Sequence, residues 1–252
     1  MRNMNTTQSP RGTNRTNAAV AGVLFIIGTV SGLLMLPVLG NLLNAPDHLT
    51  RIATNEVRMI LATLLKFIMG VACAGIGLAL YPILKKYNEG LAIGAVGFRI
   101  IEGVVGVVGA LGYVALLALS QEFVKAGAPA ASYFQTADML IKAGADWLTN
   151  VATLLTWSIG ALMYYSVFYQ FRLIPRWLTV WGVVGVTLTI ISCLLVMFHL
   201  VPGFGIVQVV VNVPILLQEM VLAVWLIAKG INAPTVASGA VKPAKNELLS
   251  AA

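Results

Sequence analysis

Residues 91–119 read LAIGAVGFRIIEGVVGVVGALGYVALLAL, and this stretch decides the fold because only two of its side chains, Arg99 and Glu102, carry a charge. A helix needs about 20 mostly apolar residues to cross the roughly 30 Å hydrocarbon core of a bilayer. The stretch meets that requirement, so it predicts a helix that spans a membrane.

Five further apolar blocks of similar length are separated by short polar breaks. They cover residues 18–43, 57–80, 147–169, 177–200 and 207–228. We therefore expect an all-α polytopic membrane protein with six transmembrane helices in one domain, residues 18–232. The composition excludes an ordinary soluble protein, because only 10% of the residues are charged where a soluble domain carries about 25%.

Basic residues are distributed unevenly between the two sides of the expected bundle, with ten on one side and four on the other. The ten are Arg2, Arg11, Arg15, Lys85, Lys86, Arg172, Arg176, Lys229, Lys242 and Lys245, and the four are Arg51, Arg58, Lys125 and Lys142. Cytoplasmic loops carry the excess of Lys and Arg, so both termini are expected in the cytoplasm. The polar ends, residues 1–17 and 233–252, are expected to be disordered cytoplasmic tails.

The net charge of +7 does not indicate nucleic acid, because the basic residues lie beside apolar segments. Anionic lipid and insertion topology explain these basic residues, so we expect the lipid bilayer as a partner and do not expect nucleic acid.

Cys73 and Cys193 fall inside apolar blocks, and His48 and His199 are not clustered. We expect no metal site and no cofactor from this pattern, and the oligomeric state stays open.

Two longer loops, residues 44–56 and 120–146, are expected on the outer side. Asn44 followed by Pro46 and Asp47 is typical of a helix start, so a short helix capped by Asn44 is expected in the first loop. Residues 132–145 contain no proline, which favours an outward extension of the fourth span.

Small residues suggest how the spans pack. The third span carries Gly97, Gly103, Gly106, Gly109 and Gly112. Glycines at such spacings let helix backbones approach closely, so we expect the third span to be the central helix.

Tyr164 and Tyr165 lie near a predicted span end and are expected at the headgroup level, where their rings act as anchors.

Four ionisable side chains fall inside predicted spans: Lys66, Arg99, Glu102 and Glu219. A charge at the bilayer centre costs about 3 kcal/mol on insertion scales, so each of them needs a partner. Arg99 and Glu102 are three residues apart and share one helix face. If the second, third and sixth spans meet, the four charges balance, either as a staple that fixes packing or as a proton or ligand site.

The sixth span adds polar groups around Glu219. Pro214 frees a backbone carbonyl, and Asn212 and Gln218 offer amides that either satisfy this kink or bind a ligand. The candidate binding residues are Lys66, Arg99, Glu102, Asn212, Gln218 and Glu219. No catalytic residue is assigned.

Four stretches together resemble a known family: LYPILKKYNE at 80–89, FRIIE at 98–102, LIPRWL at 173–178 and NVPILLQEMVLAVWLI at 212–227. They resemble the bacterial integral membrane family catalogued as domain-of-unknown-function family 4386, over essentially residues 18–232. The resemblance implies a multi-pass protein of the bacterial cytoplasmic (inner) membrane and supplies no activity. Relatives are expected to carry an acidic residue at position 66, so Lys66 is a departure.

Three functions are open at this point. The leading hypothesis is a small-molecule or ion binding or transport protein with a polar cavity between the second, third and sixth spans. In it, Arg99 holds an anionic group or pairs with Glu102, while Glu219 accepts a proton or cation. The alternative is a nonenzymatic membrane subunit or sensor whose ion pairs are structural. A lipid-acting enzyme with Glu102 or Glu219 as general base ranks last, because no nucleophile, metal set or cofactor motif accompanies it.

Overall fold

A computed structural model describes residues 10–129, 133–203 and 205–232 of the chain, and within these ranges it contains helices and no strand. The helices are α1 (Pro10–Leu39), α2 (His48–Thr54), α3 (Glu56–Leu84), α4 (Glu89–Lys125), α5 (Tyr133–Trp147), α6 (Leu154–Phe171), α7 (Arg176–Met197) and α8 (Ile206–Ala228). A π-helix, Leu148–Thr153, joins α5 to α6. Six helical segments are long and apolar enough to cross a membrane, which confirms the predicted fold class.

The first span begins earlier than the sequence suggested. Helix α1 starts at Pro10, so residues 10–17, which we assigned to a disordered tail, are helical. The backbone angle of proline suits the first turn of a helix, and the polar residues after it continue the helix beyond the apolar block. The remaining parts of the predicted tails, residues 1–9 and 233–252, lie outside the described residues.

Helix α2 is the short helix expected in the first outer loop, but its predicted cap is wrong. It begins at His48 with Asp47 at the N-cap position, three residues after Asn44. The Asp47 carboxylate does not cap the helix, because it accepts a hydrogen bond of 2.6 Å from Nε of Arg51. This bond holds the pKa of the Asp47 carboxyl below its ordinary value.

Helix α5 extends the fourth span outward, as the absence of proline predicted, and it is tied to α2. The Nε2 atom of His48 lies 2.8 Å from Oδ2 of Asp138, and the Lys142 ammonium donates to the carbonyl of Leu43 at 2.8 Å. We call the end of the bundle with α2 the outer end, and the end with the turns at 85–88 and 172–175 the inner end.

The six spans form a closed ring. Each packs against its neighbours in the order α1, α3, α4, α6, α7, α8 and back to α1. Short connections favour this arrangement, because they leave successive helices antiparallel and adjacent. The third span, α4, is therefore one wall of the ring and not its axis, contrary to the expectation of a central helix.

Glycines set two close approaches between the walls. A Cβ atom on Gly103 of α4 would lie 2.6 Å from the carbonyl oxygen of Gly70 in α3, and a Cβ on Gly22 of α1 would lie 2.6 Å from that of Ala223 in α8. Without a hydrophobic force between helices in lipid, such backbone contact is what holds spans together. The inner half of the bundle is packed by the main apolar core, which includes Leu80 and Phe168.

We predict that Gly103→Ala destabilises the protein, because the added methyl group meets backbone that cannot rotate away. Overpacking of this kind costs about 1–3 kcal/mol, more than alanine gains by helix propensity. The matched control is Gly97→Ala in the same helix, where the new Cβ meets nothing within 4 Å. Equilibrium unfolding in mixed micelles measures both variants, and an equal effect of the two would contradict the packing argument.

Candidate functional site

A cavity of about 430 Å³ runs from the middle of the ring towards its outer end. All six spans contribute to its lining. The wall formed by α1 and α3 is apolar and includes Phe25, Leu33 and Met69. The facing wall is polar and includes Thr149, Asn150, Thr153, Thr189, Gln208 and Asn212 from the π-helix, α7 and α8. A pocket of this size, apolar with a few convergent polar groups, is typical of small-molecule sites.

The floor of the cavity is a charged cluster centred on Arg99. Its Nη1 atom lies 2.9 Å from Oε2 of Glu102, one turn further along α4. Its Nη2 atom lies 3.7 Å from Oε1 of Glu219 in α8 and donates to the Tyr164 hydroxyl of α6 at 3.3 Å. The guanidinium also lies 5.2 Å from the ring centre of Phe25 in α1. Residues from four helices therefore converge on one cation that is only 1% exposed.

Both carboxylates of this cluster line the cavity, and Glu219 is the more exposed of the two. Its side chain is 16% exposed, whereas that of Glu102 is 6% exposed. Oε1 of Glu219 accepts a hydrogen bond of 3.2 Å from the indole of Trp157. One guanidinium and two carboxylates meet here, so the cluster has a formal charge of −1 when all three groups are ionised.

Lys66 does not join this cluster, so the four ionisable side chains, whose meeting the sequence left open, do not form one group. Its ammonium donates to the Thr149 hydroxyl at 2.7 Å and lies 5.3 Å from the ring centre of Tyr113. Lys66 packs against Gly109, which is seven residues or roughly 10 Å beyond Glu102 along α4. Lys66 lies nearer the outer end of α3, and this position separates its ammonium group from the Arg99 cluster at the floor of the cavity.

Asn212 and Gln218 have different surroundings, although both were candidates. Asn212 lines the cavity and accepts a hydrogen bond of 2.6 Å from Thr189 of α7. Gln218 accepts from the Tyr165 hydroxyl at 2.6 Å and donates to the carbonyl of Leu178 at 3.0 Å, so it ties α8 to α6 and α7. Positions 212 and 219 are two turns apart and share the cavity face, whereas position 218 is turned about 100° away.

The π-helix supplies a part of the site that sequence reasoning missed. It turns Thr149, Asn150 and Thr153 into the cavity. The Asn150 amide nitrogen is buried and has no hydrogen-bond partner within the described ranges. Single π turns inside α-helices occur often at functional sites. The signal available in the sequence was the cluster of hydroxyl and amide residues inside an apolar span.

Two aromatic residues that were expected at the headgroup level are instead buried. Tyr164 is 1% exposed and Tyr165 is not exposed at all, because their hydroxyls find partners in the bundle interior. Trp157, which was not a candidate, lines the cavity beside Glu219.

Within the described part of the chain, no three His, Cys, Asp or Glu side chains lie close enough together to hold a metal ion.

Comparison with known proteins gives one match. A family model described as "Domain of unknown function (DUF4386)" matches residues 20–230, which confirms the resemblance seen in the sequence. No curated protein and no solved structure matches the chain.

We predict that Arg99→Met lowers the free energy of unfolding by about 3–5 kcal/mol, because it leaves two buried carboxylates without their cation. The double variant Arg99→Met/Glu102→Gln should recover part of this loss. The matched control is Arg51→Met, which breaks a pair in which both side chains are more than half exposed and should cost less than about 1 kcal/mol. Unfolding in mixed micelles gives the comparison, and similar losses for Arg99→Met and Arg51→Met would show that the cluster does not hold the bundle.

Proposed function

The chain belongs to the family described as a domain of unknown function, DUF4386, and we propose that it is a membrane binding or transport protein whose cavity takes a small positively charged ligand at Glu219. Its six apolar helices make it a multi-pass membrane protein. The observation that carries the proposal is that one cation, Arg99, faces two carboxylates that line the cavity, of which Glu219 is the more exposed and the more weakly paired.

The charge of the cluster selects the sign of the ligand. Burying an ion costs free energy unless a partner compensates it, and one guanidinium compensates one carboxylate. Arg99 already pairs with Glu102 and reaches Glu219 at 3.7 Å, so two carboxylates already oppose its single positive charge, although its Nε atom has no hydrogen-bond partner within the described residues. Lys66, which is also buried, is bonded to Thr149. A cationic ligand, or a proton, therefore completes the cluster better than an anion does.

The surroundings of Glu219 also suit a cation. The Trp157 indole fixes one carboxylate oxygen through its N–H group, and both residues line the cavity. The polar wall adds hydroxyl and amide groups, which orient a bound molecule.

The alternative function is that of a membrane subunit or sensor without a ligand. One observation favours it, namely that Arg99 joins elements from four helices and is almost completely buried. In this case the cluster would only fix packing, and no small molecule would stabilise the fold. An intramembrane lipid-acting enzyme ranks behind both, because the Glu102 carboxylate is engaged by Arg99 through both oxygens.

We further propose that the protein lies in the bacterial cytoplasmic membrane with its inner end and both termini in the cytoplasm. The excess of basic residues at the inner turns supports this orientation. The family resemblance supports the bacterial assignment.

We predict that small cations, such as alkali ions and methylammonium ions, raise the thermal midpoint of the wild-type protein in detergent, while Glu219→Gln removes the effect. A ligand at a hundred times its dissociation constant stabilises the folded state by about 2.7 kcal/mol. The glutamine oxygen can still accept the Trp157 hydrogen bond, so the variant should fold. The matched control is Glu122→Gln, which makes the same change at an exposed position on α4. Stabilisation by anions, or by cations equally in both variants, would contradict the proposal.

The orientation gives a separate prediction. In a background without Cys73 and Cys193, a membrane-impermeant maleimide should label Glu122→Cys in intact cells and Glu89→Cys only after permeabilisation. Glu122 is exposed at the outer end of α4 and Glu89 is exposed at its inner end, and neither change removes a basic residue. The reverse pattern would place the termini outside.

A further inference from the structure

The cavity has an opening in its side, between α1 and α8. These helices touch at their inner halves, where Gly22 lies against Ala223 and Ile227. Further out, Gly28 and Gly32 of α1 pack towards α3, against Ala72 and Met69. The outer half of α1 is therefore held by α3, and cavity lies between α1 and α8 at this depth.

The register of the two helices locates the opening. Because α1 and α8 are antiparallel and Gly22 lies against residues 223–227, each step outward along α1 matches a step back along α8. Residue 33 thus lies near the level of residues 212–216, and residue 36 near the level of residues 209–213. Both helices contribute residues at these depths to the same cavity, so their facing sides do not close on each other there.

Exposure of the lining residues shows that the cavity reaches the outside. Leu33 and Leu36 of α1 are 46% and 61% exposed, and Val209 and Val213 of α8 are 53% and 40% exposed. Side chains that line a closed cavity would be largely buried. These four residues, which we call the portal, are apolar, and at this depth in a six-span bundle they face lipid rather than water.

The cavity therefore joins two chemical environments. At its floor, Glu219 offers surplus negative charge beside Trp157. At its side, the portal offers an apolar path into the outer half of the bilayer. A small hydrophilic cation would bind only at the floor of the cavity and would make no contact with the apolar wall of α1. A molecule that fills both parts carries a positive group at one end and an alkyl chain at the other.

We propose that the ligand is a cationic amphiphile of the alkylammonium type, with its charged group at Glu219 and its chain passing through the portal into the outer half of the bilayer. The proposal rests on the proposed function, because it requires the cavity to be a cation site. It adds the substrate class and the path of the alkyl chain, which enters laterally from the membrane between α1 and α8.

A homologous series of ligands tests the chain. Tetramethylammonium, hexyltrimethylammonium and dodecyltrimethylammonium share one charged group and differ in alkyl length. Binding to the wild-type protein in nanodiscs should tighten with chain length, and the dodecyl ion should bind about tenfold or more tightly than tetramethylammonium. Glu219→Gln serves as the reference for simple partitioning into lipid, because it keeps the portal and the bilayer and removes only the charge.

Matched tryptophan variants test the portal. Leu36→Trp/Val209→Trp narrows the opening and should weaken dodecyltrimethylammonium binding about tenfold while leaving tetramethylammonium binding unchanged. Leu111→Trp/Val71→Trp is the control, since these positions are 62% and 54% exposed and do not line the cavity. All four positions are exposed, and the single variants Leu36→Trp and Val209→Trp provide the same comparison if the double variant does not fold.

The outcomes separate the two proposals. Equal binding of all three ions, lost in Glu219→Gln, would overturn the amphiphile and leave the cation site standing. A chain-length dependence that both tryptophan pairs leave intact would overturn the portal as the route. Absence of binding by every ion would overturn both. Tight binding of the dodecyl ion that requires Glu219 and is weakened only by the portal pair is the result we expect.

Discussion

The constraint on which this structure depends is the cost of holding a guanidinium inside a bilayer. A lone arginine at the centre of a span is unfavourable by several kcal/mol, so the chain must bring partners to Arg99 from elsewhere. Glu102 comes from the same helix, Glu219 from α8, the Tyr164 hydroxyl from α6 and the Phe25 ring from α1. Helix α3 leaves room for Arg99, because Gly77 has no side chain and a Cβ atom at that position would lie 2.9 Å from Cβ of Arg99. Five of the six spans are thus fixed relative to one side chain.

This convergence at mid-depth divides the bundle into unequal halves. Towards the inner end the spans close on an apolar core, and the contact of Gly22 with Ala223 leaves no space between α1 and α8. Towards the outer end the π-helix shifts the wall of the fourth span, and polar side chains face a cavity instead of packing. Because interiors are close-packed by default, an open, polar outer half above a charged floor is more consistent with a binding site than with a packing staple.

Sequence reasoning predicted what depends on local pattern and missed what depends on helix rotation. The spans, the helical extension before the fourth span and the Arg99–Glu102 pair follow from hydropathy, proline placement and spacing along one helix. Whether Lys66 joins the other charges stayed open, because a sequence does not fix the relative depth of side chains on neighbouring helices, and the position of Lys66 along α3 separates it from Arg99. Gln218 was taken with Glu219, although adjacent positions on a helix point in different directions. The π turn that brings the buried Asn150 to the cavity was also missed, because hydroxyl and amide residues marked the segment but one extra residue in a helical turn leaves no distinct signature in composition.

The difference between the inner and outer halves of the bundle also bears on whether the protein only binds its ligand or transports it. A protein that only binds needs one opening, and the portal between α1 and α8 is such an opening on the outer half. A transporter needs a second arrangement in which the inner half opens while the outer half closes. In this ring α1 and α8 form both regions: they are separated at the portal in the outer half, and they are in contact at Gly22 and Ala223 in the inner half. A rocking motion of α1 against α8 about the level of Phe25 and Glu219 would exchange the two, and the charged cluster lies at that pivot. A ligand shifts such an equilibrium only through different affinities for the two arrangements, and an alkyl chain that lies in the portal would bind only the arrangement in which the outer half is open.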